Sequence, residues 1–389
     1  MQRLITGLLV LAFVSPYLCI SSFVGTTNTV YNVIDFGAIG SGTVDDSQAF
    51  LKAWQQTCGT QGDNTLLIPA GKVFLVNSIT MSGNCTATSI SIQLQGEIVA
   101  PTKNAWVGNS LNLIMFNKVN GLTIDGSGGL IDGTGSTWWG CNCPRPAVLT
   151  FQSCNNLSVK SLTIINSPKA HIHINSCMGA IFSYINISSP GNTPNTDGID
   201  IYYSQNIRIE DSTIASGDDC IAITGDSSYI NATRIACGPG HGISIGSLGR
   251  DDAYNTVEEV YVQNCSFTNT KNAARIKTWP NGSGFAKKIT FEQITLSQSG
   301  NPILIDQYYN QYLVQEGVQL SEVTFSGFQG TSATDHAITL NCSSSGCFNI
   351  VLDQINIVSS KPGKPAYCSC INAHGTATDT VPDCSCLST

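Results

Sequence analysis

Three aspartates, one histidine and two cations supply the chemistry this chain could perform: Asp197, the adjacent Asp218 and Asp219, His241, then Arg275 and Lys277. Carboxylates held close together resist simultaneous ionisation, so a cluster of them can keep one proton while leaving another group charged. That suits acid–base hydrolysis. Each residue also has a plainer reading. Asp197 follows Asn195 and Thr196, and Asp218 follows Gly217, places where Asp serves turns through local hydrogen bonds. His241 beside Gly242 could be structural, and Arg275 with Lys277 could be charges on an exposed strand edge. A shared register decides between the two readings, because independent turns do not require one.

The register is visible in short apolar strands centred on Ile172, Ile199, Ile221, Ile243 and Ile276. Two residues before the centre, consecutive strands carry Asp197, Asp219 and His241. Equal positions on adjacent parallel strands lie about 4.8 Å apart, so three titratable side chains should line one edge of one sheet. One residue after the centre the row reads His173, Asp200, Ala222, Ser244 and Lys277, which alternation predicts to be a solvent-facing strip. Arg275 and Lys277 fall one coil beyond His241, so the whole reads as a substrate track.

A second pattern must hold these strands in place. From about Leu122 onward, β-formers or small residues fill positions 0, 2, 5 and 7 of each copy. Examples are Leu157, Val159, Leu162 and Ile164, then Ala180, Phe182, Ile185 and Ile187, then Ile207, Ile209, Ser212 and Ile214. The pattern continues to Ile350, Leu352, Ile355 and Ile357. Copies recur every 23 to 35 residues or so, a period typical of stacked solenoids. Alternation within each copy indicates strands. The prediction is an all-β, parallel β-helix rather than a sandwich, which would join its strands by tight Asn-Gly or Asp-Gly hairpins. Thr43 with Asp46 suggests a capping box before a short helix carrying Phe50, Leu51 and Trp54, a plug for the N-terminal end. Cys368, Cys370, Cys384 and Cys386 suggest staples at the other end.

Arg3, the apolar run Leu4 to Val14 and the small residues Ser21 and Ser22 have the grammar of a secretory leader. We therefore expect residues 1–22 to be removed and 23–389 to form one secreted catalytic domain. Of sixteen cysteines, fifteen remain once Cys19 leaves with the leader, so at least one thiol is unpaired within the chain. Asn84, Asn156, Asn186, Asn231, Asn264, Asn281 and Asn341 head glycosylation triplets, some of them chance matches. A formal charge of −8 argues against nucleic acid or an anionic membrane as partner, while a local basic patch leaves an acidic substrate open.

Asn195-Thr196-Asp197, Gly217-Asp218-Asp219, His241-Gly242 and Arg275-Ile276-Lys277 resemble, in order and spacing, the motifs of the polygalacturonases, pectin-cleaving glycoside hydrolases. The stretch Cys237 to Ser247 is similar to the plant branch. The resemblance implies a right-handed parallel β-helix that cleaves α-1,4-linked galacturonate with inversion, without metal or cofactor, as an extracellular monomer acting on the cell wall. Asp218 would be the general acid, and the crowding of carboxylates is expected to keep it protonated near neutral or mildly acidic pH. Asp197 and Asp219 would activate water, and His241 would set the state of Asp218. Inversion calls for about 6.5–9.5 Å between acid and base carboxyls. Asn195, Arg275, Lys277 and Tyr309, which follows Ile305-Asp306-Gln307, would bind substrate, Arg by a bidentate grip and Lys as a point charge. The resemblance also makes Cys220–Cys237 and Cys342–Cys347 plausible disulfides. Two departures stand out. Asp200 occupies a place where plant members often have His and could repel a polyanion, and Asn310 stands where many have Cys. A calcium-dependent lyase and a wall-binding β-helix without turnover are the competing functions.

Overall fold

A computed structural model describes residues 28–309 and 316–387. The leader expected over residues 1–22, and Asn310, lie outside the described residues. Every pairing between named strands is parallel, and the repeat is its cause. Leu157 lies against Ala180, Ala180 against Ile207, Ile207 against Ile230 and Ile230 against Val260. The ladder continues through Ile289, Val323 and Ile350. The inward residues of these copies are at most 4% exposed, apart from the half-buried Gly330. At position 4 of each copy a single left-handed residue turns the corner between the two strand pairs. Ser161, Tyr184, Asp211, Arg234, Asn264, Gln293 and Gln354 do this with φ of 51° to 56°, and Gly327 with 65°. This conformation costs an L-residue roughly 1–2 kcal/mol unless it is Gly, Asn or Asp. Tyr, Arg and Gln hold it here because the coils on either side fix the corner. Asn84, Asn156, Asn264 and Asn281, four of the glycosylation-triplet residues, are also left-handed, which gives Asn a conformational reason to be there.

The strands form two sheets, of 20 and 11 members among the described residues. The smaller one stacks in chain order from Ile79–Ser82 to Tyr367–Ile371 and carries the polar rows. The stack begins earlier than the sequence pattern suggested, since Leu66 lies against Ile92 and Ile92 against Ile124. These coils escaped the pattern because their corners are longer. Ile90, Ile92, Leu94 and Ile98 are buried in one such coil, off the 0, 2, 5, 7 offsets.

Inside the coil, like stacks on like. Phe116 pairs with Phe151 in register and their rings stack at 5.5 Å, while Phe151 meets Phe182 edge-on at 5.6 Å. The helix α1 (Ser47–Gly59) plugs the N-terminal end, with Phe50 edge-on to Phe74 and Trp54 to Phe116. The expected capping box does not form. Thr43 belongs to the strand Ser41–Asp45, and the buried Asp46 carboxylate instead accepts the amides of Ile39 at 2.7 Å and Gly40 at 3.1 Å, closing the loop that enters the helix. At the far end the tail adds the strands Tyr367–Ile371 and Ala373–Val381, stapled by Cys368–Cys384 and Cys370–Cys386. Cys220–Cys237 and Cys342–Cys347 form as the resemblance implied, joined by Cys58–Cys85 and Cys141–Cys143. Cys154, Cys177 and Cys265 remain as buried thiols, which accounts for the odd count. No helix among the described residues is long and apolar enough to cross a membrane.

Phe151 is fully buried between two other rings. Phe151→Ala should cost about 3–5 kcal/mol, measurable as a fall in the urea unfolding midpoint. A loss below about 1 kcal/mol would mean that the ring stack is not a significant source of stability.

Candidate active site

Ile172, Ile199, Ile221 and Ile243 pair in register as the sequence suggested. Asp197, Asp219 and His241 therefore occupy equivalent places on three successive coils. Backbone bonds lock them there: His171 N donates to Asp197 O at 2.9 Å, Gly198 N to Asp219 O at 2.9 Å, and His241 N to Asp218 O at 2.7 Å. Two glycines permit this closeness. A Cβ on Gly217 would stand 2.1 Å from Thr193 O, and one on Gly242, at φ 89°, would stand 2.4 Å from Ala273 O.

One coil further on, the register differs from expectation. Ile243 pairs with Ala274 and Ile276 with Ile245, so Arg275, not Lys277, continues the row of His173, Asp200, Ala222 and Ser244. A shift of two residues keeps every side chain on its own face, so alternation could not detect it. Nor is that row a solvent-facing strip: Asp200, Ala222, Ser244 and Arg275 are at most 6% exposed. His173 and Tyr202 lie against Asp200, and Arg275 lies against Ser244. Asp200 Oδ2 accepts from the Tyr202 hydroxyl at 2.9 Å and lies 3.1 Å from His173 Nε2, while its Oδ1 is buried without a partner. This covered carboxylate is a weaker barrier to a polyanion than an exposed one would be.

Asp219, almost fully buried, is the hub of the site. Its Oδ2 accepts from Lys277 Nζ at 2.8 Å, and its Oδ1 from Arg275 Nη2 and, at 2.9 Å, from the Ser244 hydroxyl. Ser244 Oγ in turn accepts from Arg275 Nε at 2.8 Å. Asp218 points the other way. Its Oδ1 meets His241 Nδ1 at 2.9 Å and accepts the Asp219 amide at 3.0 Å, and its Oδ2 accepts from Asn195 Nδ2 at 3.2 Å. The Asp218 and His241 side chains are 19% and 25% exposed, against 1% for Asp219, so they form the accessible surface of the cluster. Lys277 Nζ lies 5.4 Å from the Tyr309 ring, and Tyr309 is edge-on to Trp279 at 5.5 Å. All eight residues expected at the site therefore belong to one cluster.

Proton affinities are split across it. Burial pushes Asp218 up, but the His241 hydrogen bond and charge, with Lys277 and Arg275, outweigh burial and hold it at about 2. Asp197 is raised well above the usual carboxylate range, by burial first and then by Asp200, Asp218 and Asp219, with Lys277 opposing. The two shifts thus run opposite to the sequence expectation: Asp197 has the raised proton affinity and Asp218 the lowered one. His241, rather than the crowd of carboxylates, dominates the surroundings of Asp218.

Asp218, Asp219 and His241 offer ligand atoms within 4.8 Å of one another. A metal fits them poorly, because both oxygens of Asp219 already face cations. Ser244, Trp279 and Arg145 escaped sequence reading. Ser244 was visible only as a polar member of its row, Trp279 follows Lys277 by two residues without a motif, and Arg145 lies in a Cys- and Pro-rich loop outside any repeat.

A parallel β-helix carrying clustered carboxylates, an imidazole and a two-cation clamp defines a carbohydrate-hydrolase architecture. The model for glycosyl hydrolases family 28 matches residues 58–386. The chain belongs to that family and is a glycosidase. It is 45% identical over 372 residues to a probable polygalacturonase of Arabidopsis thaliana, covering 93% of this chain and 81% of the relative. It is 39% identical over 371 residues to the polygalacturonase of Prunus persica, covering 92% and 93%. Among solved structures, the endo-xylogalacturonan hydrolase of Aspergillus tubingensis shares the fold with a TM-score of 0.76 at 24% identity, covering 90% of this chain and all of that one.

The raised proton affinity of Asp197 carries a stability signature. Stability tied to such a group is fully present below its unfolded pKa and is lost as pH rises through its folded pKa. Asp197→Asn should therefore unfold at a higher temperature than the unmutated protein at pH 7, and the gap should close as pH falls toward the ordinary carboxylate value of 3.8. Thermal unfolding followed from pH 4 to 7 decides this; a gap that widens toward low pH would show the opposite electrostatics.

Proposed function

We propose that this glycosidase is a secreted polygalacturonase that hydrolyses α-1,4-galacturonosyl bonds of cell-wall pectin with inversion, through the single catalytic domain spanning 23–389 and as a monomer. The observation that carries this reading is the clamp of Arg275 and Lys277 on Asp219 beside the more exposed Asp218. Two cations gathered on one buried carboxylate can also receive the carboxylate of a galacturonate unit, Arg by its fork and Lys as a point charge. The family and the relatives' names support that substrate.

Substrate binding then redistributes the proton. Lys277 and Arg275 help hold Asp218 low, and a sugar carboxylate between them offsets their charge, so Asp218 gains proton affinity as the sugar docks. Asp218 takes up the proton that Asp197 releases and passes it to the leaving oxygen. Asp197, having given up its proton, and Asp219 orient a water on the opposite face and remove its proton as the water attacks the anomeric carbon. Electron pairs move from water to carbon and from the scissile bond to the leaving oxygen, so no cofactor is required. His241 orients Asp218, Asn195 steadies its second oxygen, and Tyr309 lies against the sugar beside Lys277.

A lyase would need the acidic residues to hold Ca²⁺, which conflicts with their pairing to cations. A wall-binding protein without turnover would not need the Asp218–His241 contact. Asp218→Asn should lower reducing-end release from polygalacturonate by about 10²–10⁴-fold, and chelator should leave the unmutated rate unchanged. A drop below about tenfold removes Asp218 from the role of acid. An unsaturated product absorbing in the ultraviolet and lost with chelator overturns hydrolysis itself. Product sizing in the same assay separates exo attack, giving monomer only, from endo attack, giving a ladder.

A further inference from the structure

Arg145 is a cation of the cleft that the proposed mechanism does not use. It precedes the strand Ala147–Gln152, which is two strands from Ile199–Tyr202 in the site sheet. Its guanidinium is braced by three neutral oxygens: Nη1 donates to Pro168 O at 3.1 Å and Pro194 O at 2.6 Å, and Nη2 to Asn195 Oδ1 at 3.0 Å. Two of these acceptors belong to the loop that leads into Asp197. Among the described residues no ion pair neutralises it. The carboxylate bearing on it is Asp197, whose proton affinity burial raises well above the usual carboxylate range. A guanidinium has five N–H donors, and three are engaged here. One on Nε and one on Nη2 remain without a partner among the described residues.

The placement mirrors that of Arg275. Arg275 stands on Asn272–Thr278, two strands beyond Ile221–Ile223, and reaches back to Ser244 and Asp219. Arg145 reaches forward from two strands on the other side to the Asn195 loop. Two guanidinium groups thus approach the carboxylates from opposite ends of the stack, and a chain lying along that stack would meet both. The exposed Lys169, next to Pro168, adds charge on the same side. The side-chain amide of Asn195 is oriented by this contact, since its oxygen faces Arg145 and its nitrogen faces Asp218 at 3.2 Å.

We propose that Arg145 is a second carboxylate-binding residue of the cleft. It grips a uronate unit on the opposite side of Asp197 and Asp218 from the unit held by Arg275 and Lys277, and it orients Asn195 toward Asp218. This rests on the galacturonan reading above. Because three protein acceptors pre-set the guanidinium, little side-chain ordering remains when a ligand arrives. Specificity follows from charge: an esterified unit at that place forgoes the charge-assisted bonds that a free carboxylate makes.

The test is calorimetric binding of hexagalacturonate and of its fully methyl-esterified counterpart, in an Asp218→Asn background so that the ligands survive. Adding Arg145→Gln should weaken the free acid about tenfold and the ester less than about twofold, the scale of a hydrogen bond to a charged group. Arg145→Lys, which keeps the charge without the fork, should return affinity for the acid to within about threefold. Unchanged thermal unfolding checks that the variants are folded. Equal weakening of both ligands, no weakening, or a Lys variant no better than Gln overturns carboxylate binding by Arg145. Hydrolysis of polygalacturonate by the unmutated enzyme is measured alongside: its absence sinks the substrate reading, whereas equal losses with hydrolysis intact sink the role of Arg145 alone.

Discussion

A parallel stack places equal positions of successive coils about 4.8 Å apart, and every other feature of this molecule is an answer to that spacing. In the interior the answer is apolar matching, with Phe116 over Phe151 and Phe291 over Phe325. At the mouth of the site sheet the same spacing forces Asp197, Asp218 and Asp219 together with Asp200 nearby. Two like charges about 4 Å apart repel by about 4 kcal/mol in a partly screened environment. The fold offsets this with two cations reaching back to Asp219 and with a raised proton affinity at Asp197.

That compensation is also what makes the site responsive. A carboxylate clamped by Arg and Lys is stable, but a ligand carboxylate can share the same clamp, and any such sharing changes the field at every neighbouring acid. Asp218 has the greatest freedom to respond, because it is more exposed than Asp219 and its low proton affinity depends in part on those same cations. Binding and proton placement are thereby linked through one set of charges, with no moving lid required.

Buried polar groups gather behind this cluster. Asp200 has a buried oxygen without a partner, and burial followed by the charge of Asp200 pushes the Tyr202 hydroxyl far up. A carboxylate in that position adds to the field that raises the proton affinity of Asp197. The departure at position 200 therefore bears directly on the proton affinity of Asp197. His173 and Tyr202, both against the same carboxylate oxygen, limit how far its charge reaches into the cleft.

Much of this was legible in the chain itself. Period-2 alternation at fixed offsets determined the strands and the inward faces, because apolar burial repeats with the coil. The aligned isoleucine centres brought Asp197, Asp219 and His241 into one row, because equal sequence positions become equal spatial positions in a parallel stack. Other features required the tertiary structure. The two-residue shift at Arg275 preserves alternation and leaves no trace in the pattern. The burial of the row at Asp200 and Ser244 depends on side chains from other coils. The opposite shifts in proton affinity at Asp197 and Asp218 depend on burial and on which cations and which imidazole lie closest. Arg145 reaches Asn195 from a loop fifty residues away in sequence, and only the coiling of the chain brings the two together.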